Sequence, residues 1–541
     1  MIFQQEALPR RRESHFGNRV VWCFQDRPRS VLQALQAMAE QHAQRDALVF
    51  EAQRWRFAEL LAEIRHCAAG LKAHGVQPGD RVVLLVGNRP EFVFLFYAVL
   101  WLGAVAVPVD VRLKAPEVLH VLRNAGASCL LHDAALADRV PPTSGRPGPL
   151  VTIALPASTG LPVFPQAHAD AAPPAHEPAS EEDVAVILYT SGSTGKPKGA
   201  AITHLNMVHS VLHHCGNLDL HEQDRVAIAV PLSHTTGLMC GVVSPLVVGA
   251  ALLLAPRFKA AEFLPMAARE RMTYTIMVPA MYNLCLMEPD FEQHDLSAWR
   301  VGHFGGAPMP TAVAQRLAAA CPGLRLVNGY GSTETCGAAV MTPREAGNAH
   351  LDAVGKPLSC IEVLIVHPET GVEVPTGESG EIWVRSPGVV SGYWNDAAAS
   401  ADGIVAGYWR SGDIGRLDEQ GYLYVLDRLK DMINRGGYKI YSAVVENVLL
   451  QIPGVQEAAL VGRPDPVLGE RVHAFVTTTR DDLDADAIRA FCSERLGDYE
   501  VPETVTVGTE PLPRNSAGKL AKLELRTRAA ALPPFVKPSR S

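Results

Sequence analysis

VAVILYTSGSTGKPKG, residues 184–199, runs from an unbroken apolar stretch straight into a loop of glycine, hydroxyl and lysine residues. A short run of wholly apolar residues is the pattern of a strand buried on both faces, as in parallel sheets covered by helices. The loop that follows has the chemistry of a phosphate cradle. Its glycines let backbone N–H groups approach phosphate oxygens, its hydroxyls add donors, and its lysines add charge. It is not a Walker loop, because only two residues separate Gly192 from Gly195 and Pro197 follows Lys196, where that pattern needs Ser or Thr. Pro197 also blocks direct entry into a helix. Taken alone, a Gly/Ser/Thr loop is also readable as a plain surface turn, but the order of hydroxyl, glycine and lysine here is more specific.

Working outward, the same alternation recurs. RVVLLVG (residues 81–87) reads as a strand, the run from Glu91 as a helix, and AVAVPVD (residues 104–110) as the next strand. Strands of this kind separated by helices predict an α/β fold with parallel or mixed sheets covered by helices. Residues 139–182 are rich in Pro, Ala, Ser and Thr and read as an irregular connection, with one short strand at LVTIAL (residues 150–155). A second shift in composition follows the strand-like GYLYVLDR, residues 421–428. The expected division is a large N-terminal domain, residues 1–429, and a small mobile α+β domain, residues 430–541, joined by a hinge.

The 541 residues carry 49 Lys and Arg against 57 Asp and Glu, a mildly acidic balance that gives no electrostatic footprint for nucleic acid or anionic lipid. Ten cysteines are scattered singly, without the spacing of a disulfide framework or a zinc module. The apolar run of residues 92–108 is short for a bilayer span, and Gly103 and Pro108 divide it into a helix-like and a strand-like half. The Arg-rich start is not followed by an apolar core and cleavage site, so a cytoplasmic protein is expected. The sequence is compatible with a homodimer.

Further motifs follow the first in order: PLSHTTG (231–237), GGAP (305–308), NGYGSTET (328–335), RSGDIG (410–415), DRLKDMI (427–433) and PRNSAGK (513–519). With YTSGSTGKPKG, this series resembles the adenylate-forming superfamily of acyl- and aryl-CoA ligases, luciferases and peptide-synthetase adenylation domains. The resemblance extends over essentially the whole chain. GHFGGAP and LRLVN-GYGSTE each place a loop after a strand-like run, where open α/β sheets hold their ligands.

The resemblance implies ATP, Mg²⁺ and coenzyme A as reactants. Thr190, Ser191, Gly192, Ser193, Thr194, Gly195 and Lys198 would hold the phosphates. Gly306, Ala307, Gly329 and Tyr330 would line the adenine, in loops that include Pro308, Asn328, Gly331 and Ser332, while Thr333 reaches the phosphate. Glu334 would be a Mg²⁺ ligand aided by Thr190; unaided by the resemblance it also reads as a charge at a helix N-terminus. Asp413, in a turn, and Arg428 would bind the ribose, although an Asx-turn also explains Asp413.

Lys430 matches the hinge position, and Gly436 and Gly437 the loop that admits pantetheine. Lys519 matches the lysine that bridges the acyl carboxylate and the α-phosphate; as a bare tail residue it would be solvated charge. His234 matches the gate beside the α-phosphate, where a lone histidine would otherwise read as a core residue. The expected reaction is adenylation of a carboxylic acid with loss of pyrophosphate, then transfer of the acyl group to coenzyme A. The alternative acceptor is a separate acyl carrier protein.

Amino-acid-activating relatives carry an Asp just after the gate aromatic. Thr235 stands there, and no Asp occurs in residues 226–289, which argues against an amino acid. No carrier domain follows Lys519, so coenzyme A is the expected thiol. Thr235, Gly237, Gly305, Cys336 and Gly337 are expected, with His234, around the acyl group. Their small or apolar character points to a fatty or aryl monocarboxylate, with the glycines leaning towards an aliphatic chain.

Overall fold

The computed structural model describes residues 8–142, 150–190, 197–307, 309–346, 350, 352–480, 482–514 and 520–533. By its internal contacts the chain forms two compact units, residues 1–364, 383–410 and 421–423, and residues 365–382, 411–420 and 424–541.

The first unit holds two large sheets. One runs in the order Lys198–Thr203, Val184–Thr190, Val105–Pro108, Arg81–Leu85, Cys129–Asp133, Val151–Leu155. All its pairings are parallel except the first, which is an antiparallel hairpin at the sheet edge. The strands expected at residues 81–87, 104–110, 150–155 and 184–190 are all present. The other sheet is nine-stranded and parallel through its centre, where Tyr274–Met277, Val301–Gly305 and Arg325–Ser332 lie side by side.

PEFVFLFYAVLW has a single charged residue, Glu91, which pairs with Arg89, and no polar face to offer water, so as the helix Pro90–Trp101 it is buried at every one of its twelve positions. Burying each of its phenylalanines is worth roughly 1.5–3 kcal/mol. The run that invited a membrane reading is therefore core helix and core strand. Among the described residues no helix is long and apolar enough to cross a membrane, and all ten cysteines are buried and unpaired.

In the second unit, Val455–Asp465 pairs antiparallel with Gly469–Thr478, which Thr504–Gly508 joins in parallel. The helices Ser442–Leu449, Ala485–Ser493 and Lys522–Ala530 complete an α+β arrangement. Its core is separate, built on residues such as Ile433, Val445, Leu460 and Ile488.

Candidate active site

The strand Val184–Thr190 turns back as Lys198–Thr203, with Thr190 opposite Lys198. Ser191, Gly192, Ser193, Thr194 and Gly195, between them, lie outside the described residues. The Lys198 ammonium rests 5.3 Å from the centre of the Tyr393 ring. The Tyr393 hydroxyl in turn donates to Glu334 Oε1 at 2.8 Å, and Ser332 Oγ donates to Glu334 Oε2 at 2.8 Å. Burial, and then the Glu334 carboxylate itself, push the Tyr393 phenol well above the usual tyrosine range, so it remains a donor.

Glu334 lies in the turn between Arg325–Ser332 and Gly337–Met341, which removes the helix-terminus reading. Its carboxylate is clamped from both sides, and hydrogen bonds to a charged group are worth about 1.5–3 kcal/mol each. With the Thr190 hydroxyl it offers hard oxygen donors of the kind Mg²⁺ takes, so the residues present fit that ion. Tyr393→Phe keeps the ring under Lys198 and deletes one clamp. It is expected to slow acid-dependent pyrophosphate exchange about tenfold and to raise the Mg²⁺ concentration needed for half-maximal rate.

The loop expected after LRLVN is instead strand: Arg325–Ser332 continues through GYGS and pairs antiparallel with Gly337–Met341. Glycine makes this possible, since a Cβ at Gly331 would stand 2.0 Å from the Gly337 carbonyl oxygen. Gly305 and Gly329 are partners across the neighbouring parallel strands. Gly306 and Ala307 follow, exposed, and Pro308 is outside the described residues. Tyr330 is half-buried. Asn328 is buried and its amide donates to the Ala353 carbonyl at 3.2 Å, which makes that side chain part of the scaffold.

Thr235 Oγ1 donates to Thr333 Oγ1 at 2.9 Å, so the expected phosphate and acyl residues meet. Immediately after Thr235, Thr236–Val243 is a π-helix, a widened coil frequently found at functional sites. It carries Gly237 and is buried from that residue onwards. Cys336 is buried with its backbone in the left-handed region, φ +56°, and its carbonyl accepts from Ser210 Oγ at 2.5 Å. Gly337 follows it at the start of the next strand.

His234 is exposed on the near side of this helix, and its Nε2 lies 2.8 Å from Asp110 Oδ2. Arg112 Nε binds the same carboxylate at 2.9 Å. Burial would raise the Asp110 pKa, but the hydrogen bonds from His234 and Arg112 outweigh it and hold the carboxyl far below the usual range. Asp110 is therefore ionised and orients the imidazole.

In the second unit, Asp413 sits inside the strand Tyr408–Leu417 rather than in a turn. Gly412, at φ +67°, kinks that strand just before it. Arg428 Nε donates to Asp413 Oδ1 at 3.2 Å, which unites the two expected ribose residues. Lys430 is exposed in the turn after Leu423–Arg428, and its carbonyl accepts from Arg526 Nη2 at 2.5 Å. Gly436 and Gly437 form the turn between the strands Ile433–Arg435 and Tyr438–Ile440. Lys519 lies outside the described residues.

Sequence reasoning missed Asp110, Arg112 and Tyr393. Asp110 closes the AVAVPVD run, at the carboxyl end of a parallel strand, and that position was the available signal. Tyr393 had none.

Residues 35–394 match the family model of the AMP-binding enzyme, and residues 444–519 that of the AMP-binding enzyme C-terminal domain. The chain is 37% identical to a feruloyl-CoA synthase of an Amycolatopsis species, over 87% of its own length and 93% of that protein's. It is 35% identical to the long-chain-fatty-acid–CoA ligase FadD13 of Mycobacterium tuberculosis, covering 89% and 94% of the two chains. The o-succinylbenzoate CoA synthetase MenE of Bacillus subtilis, solved with its acyl-adenylate intermediate, superimposes with a TM-score of 0.81 at 32% identity, over 91% of this chain and 97% of that one. Solved with ATP and magnesium, the same enzyme gives a TM-score of 0.80, covering 92% and 98%. In both its large N-terminal and its small C-terminal part, the chain belongs to the AMP-binding enzyme family.

Proposed function

We infer that the chain is an ATP-dependent acid–thiol ligase, which activates a carboxylic acid as its acyl adenylate with release of pyrophosphate and then passes the acyl group to coenzyme A. The observation that carries this is the clamp on Glu334, with Lys198 laid over the ring of the tyrosine that forms one side of it. That arrangement holds a fixed carboxylate and a cation from the strand that directly follows the glycine-rich segment in sequence, as binding of a metal-bound triphosphate requires.

Lys198 and the loop hydroxyls stabilise the departing pyrophosphate. Thr190 and Glu334 would hold Mg²⁺, which would supply neutralisation of charge on the phosphates. Thr333, fixed by Thr235, meets the α-phosphate. His234, oriented by Asp110, stands at the entrance to the acyl group and excludes water from the anhydride once it has formed. Asp413 and Arg428 take the ribose hydroxyls. Residues 430–541 act as the mobile part, pivoting at Lys430, so that Lys519 serves the first half-reaction and the Gly436–Gly437 turn the second.

Buried, unpaired thiols support a reducing compartment, and the cytoplasm is the proposed location. The substrate class, a fatty or aryl monocarboxylate, is supported by the feruloyl and fatty-acid relatives alike. A panel of carboxylic acids scored by pyrophosphate release, with and without coenzyme A, tests the whole reading. Release that requires a carrier protein and ignores coenzyme A would overturn the assignment of the acceptor.

Asp413→Ala is expected to raise the KM for ATP about a hundredfold with kcat little changed, because the ribose contacts are made equally in ground and transition states. Steady-state kinetics in ATP at saturating acid checks this.

A further inference from the structure

Glu334 is gripped at two points by one short stretch of chain. Besides the Tyr393 hydroxyl on its carboxylate, its backbone carbonyl accepts from the Val390 amide at 2.9 Å. Residues 386–390, SPGVV, form a tight turn in which the Val389 amide donates to the Ser386 carbonyl and the Gly388 amide to Ser386 Oγ. A Cβ at Gly388 would stand 3.1 Å from the Thr335 carbonyl oxygen, so glycine lets this turn lie against the segment that carries Glu334. Val389 and Val390 are fully buried.

The carbonyls of a buried turn are cut off from water and need donors from the protein. Two side chains from distant parts of the chain provide them. Asn206, on the helix His204–Leu218, donates from Nδ2 to the Pro387 carbonyl at 2.8 Å and the Val389 carbonyl at 3.1 Å. Arg19 donates from Nη1 to the Val389 carbonyl at 2.8 Å and the Val390 carbonyl at 3.1 Å. Val390 is thus held at its carbonyl by Arg19 and at its amide by Glu334.

Arg19 is only 7% exposed, and among the described residues its hydrogen bonds go to those two carbonyls rather than to a carboxylate. Burial lowers its pKa to about 10, against the opposing charge of Glu182, so the guanidinium stays ionised. A charged donor binds a carbonyl about twice as strongly as a neutral one. Arg19 opens the second strand of the hairpin formed by Arg10–His15 and Arg19–Phe24, and the Phe16 ring lies 4.8 Å from its guanidinium. The hairpin is itself tied down. Arg27 bridges Glu13 to Glu181, and the Phe24 amide donates to His209 Nε2 at 3.2 Å. Residues 10–24 lie ahead of residue 35, where the match to the AMP-binding enzyme model begins.

We propose that Arg19 is a positioning residue for the Mg²⁺ site: by fixing the turn of residues 386–390, it holds Glu334 in the place from which its carboxylate meets the ion. This rests on reading Glu334 as the metal ligand of an acid-activating cleft. Arg19 itself touches neither metal nor nucleotide. It acts through Val390 and the Glu334 backbone, and the N-terminal hairpin is the brace that carries it.

The test is a Mg²⁺ titration of acid-dependent ATP–pyrophosphate exchange at fixed ATP. Arg19→Met keeps an apolar stem and removes the donors; it is expected to raise the Mg²⁺ concentration at half-maximal rate about threefold to tenfold. Arg19→Lys, which retains the charge on a shorter reach, should recover part of that shift. Trp22→Ala, on the exposed face of the same strand, should match the wild type. A purely structural role gives another result: fewer active molecules lower the height of the curve and leave its midpoint in place. That outcome would overturn the proposal.

Hydrogen–deuterium exchange reads the same coupling without turnover. In metal-free Arg19→Met, amides of residues 332–336 and 388–391 should exchange faster than in the wild type, and equal rates would overturn the proposal. Because coupling is reciprocal, adding Mg²⁺ and ATP to the wild type should slow exchange in residues 386–391. No change there, with protection elsewhere in the chain, would overturn the proposal even if no variant folds. No protection anywhere, together with no pyrophosphate exchange for any acid, would instead overturn the reading of the cleft.

Discussion

Lys519→Ala is expected to lower adenylate formation by at least about a hundredfold while leaving thioester formation from supplied acyl-AMP nearly intact. When a carboxylate attacks the α-phosphorus, two anions approach each other and charge builds on the oxygens around phosphorus. An ammonium that bridges both offsets that repulsion only in this step. In the second half a thiol attacks a carbonyl and AMP departs with the electron pair of the broken C–O bond, so no carboxylate approaches phosphorus and there is no pair of anions for the lysine to bridge. Pyrophosphate exchange and acyl transfer from synthetic acyl-AMP, measured separately, check the split. Equal loss in both assays would show that Lys519 does not serve one half-reaction alone. Lys519→Arg retains the charge on a different geometry and should recover only part of the first rate.

Glu334→Ala should raise the Mg²⁺ requirement and slow the first half-reaction by about a hundredfold or more. The surroundings of this carboxylate make Glu334→Gln the sharper variant. Its amide oxygen can still accept from Tyr393 or Ser332, so a role confined to tying the turn to Tyr393 would survive the change. A role in holding a cation would not, because the negative charge is gone. Titration of Mg²⁺ at fixed ATP distinguishes the two: similar, right-shifted curves for both variants support metal ligation, and a wild-type curve for Glu334→Gln would refute it.

Much of this arrangement is legible in the sequence because it is local. Apolar runs separated by helical patterns give the parallel strands, and the glycine-rich segments stand at strand ends, where residues next to one another in the chain act together. What escapes is contact between distant segments. Asp110 and His234 are 124 residues apart, Tyr393 and Glu334 are 59 apart, and neither pair leaves a periodic trace. The misplacement of Asp413 has another cause. A glycine followed by an aspartate reads as a turn, whereas here Gly412, at φ +67°, lies within a strand that continues to Leu417. GYGS was read as a loop for the same reason, since strands of glycine lack the side chains that announce them.

The π-helix at Thr236–Val243 has a consequence for how such an enzyme changes its diet. A coil with i→i+5 bonding accommodates a residue more than an α-helix of the same span, so losing one residue there would tighten the coil and rotate every side chain beyond it. Met239 and Cys240, both buried on this coil, would then point elsewhere, while the segments proposed to hold the nucleotide, which lie apart in the chain, would be untouched. On the proposed placement of Gly237 beside the acyl group, a single codon deletion would redraw the choice of acid in one step, a route to new substrates that gradual substitution does not offer.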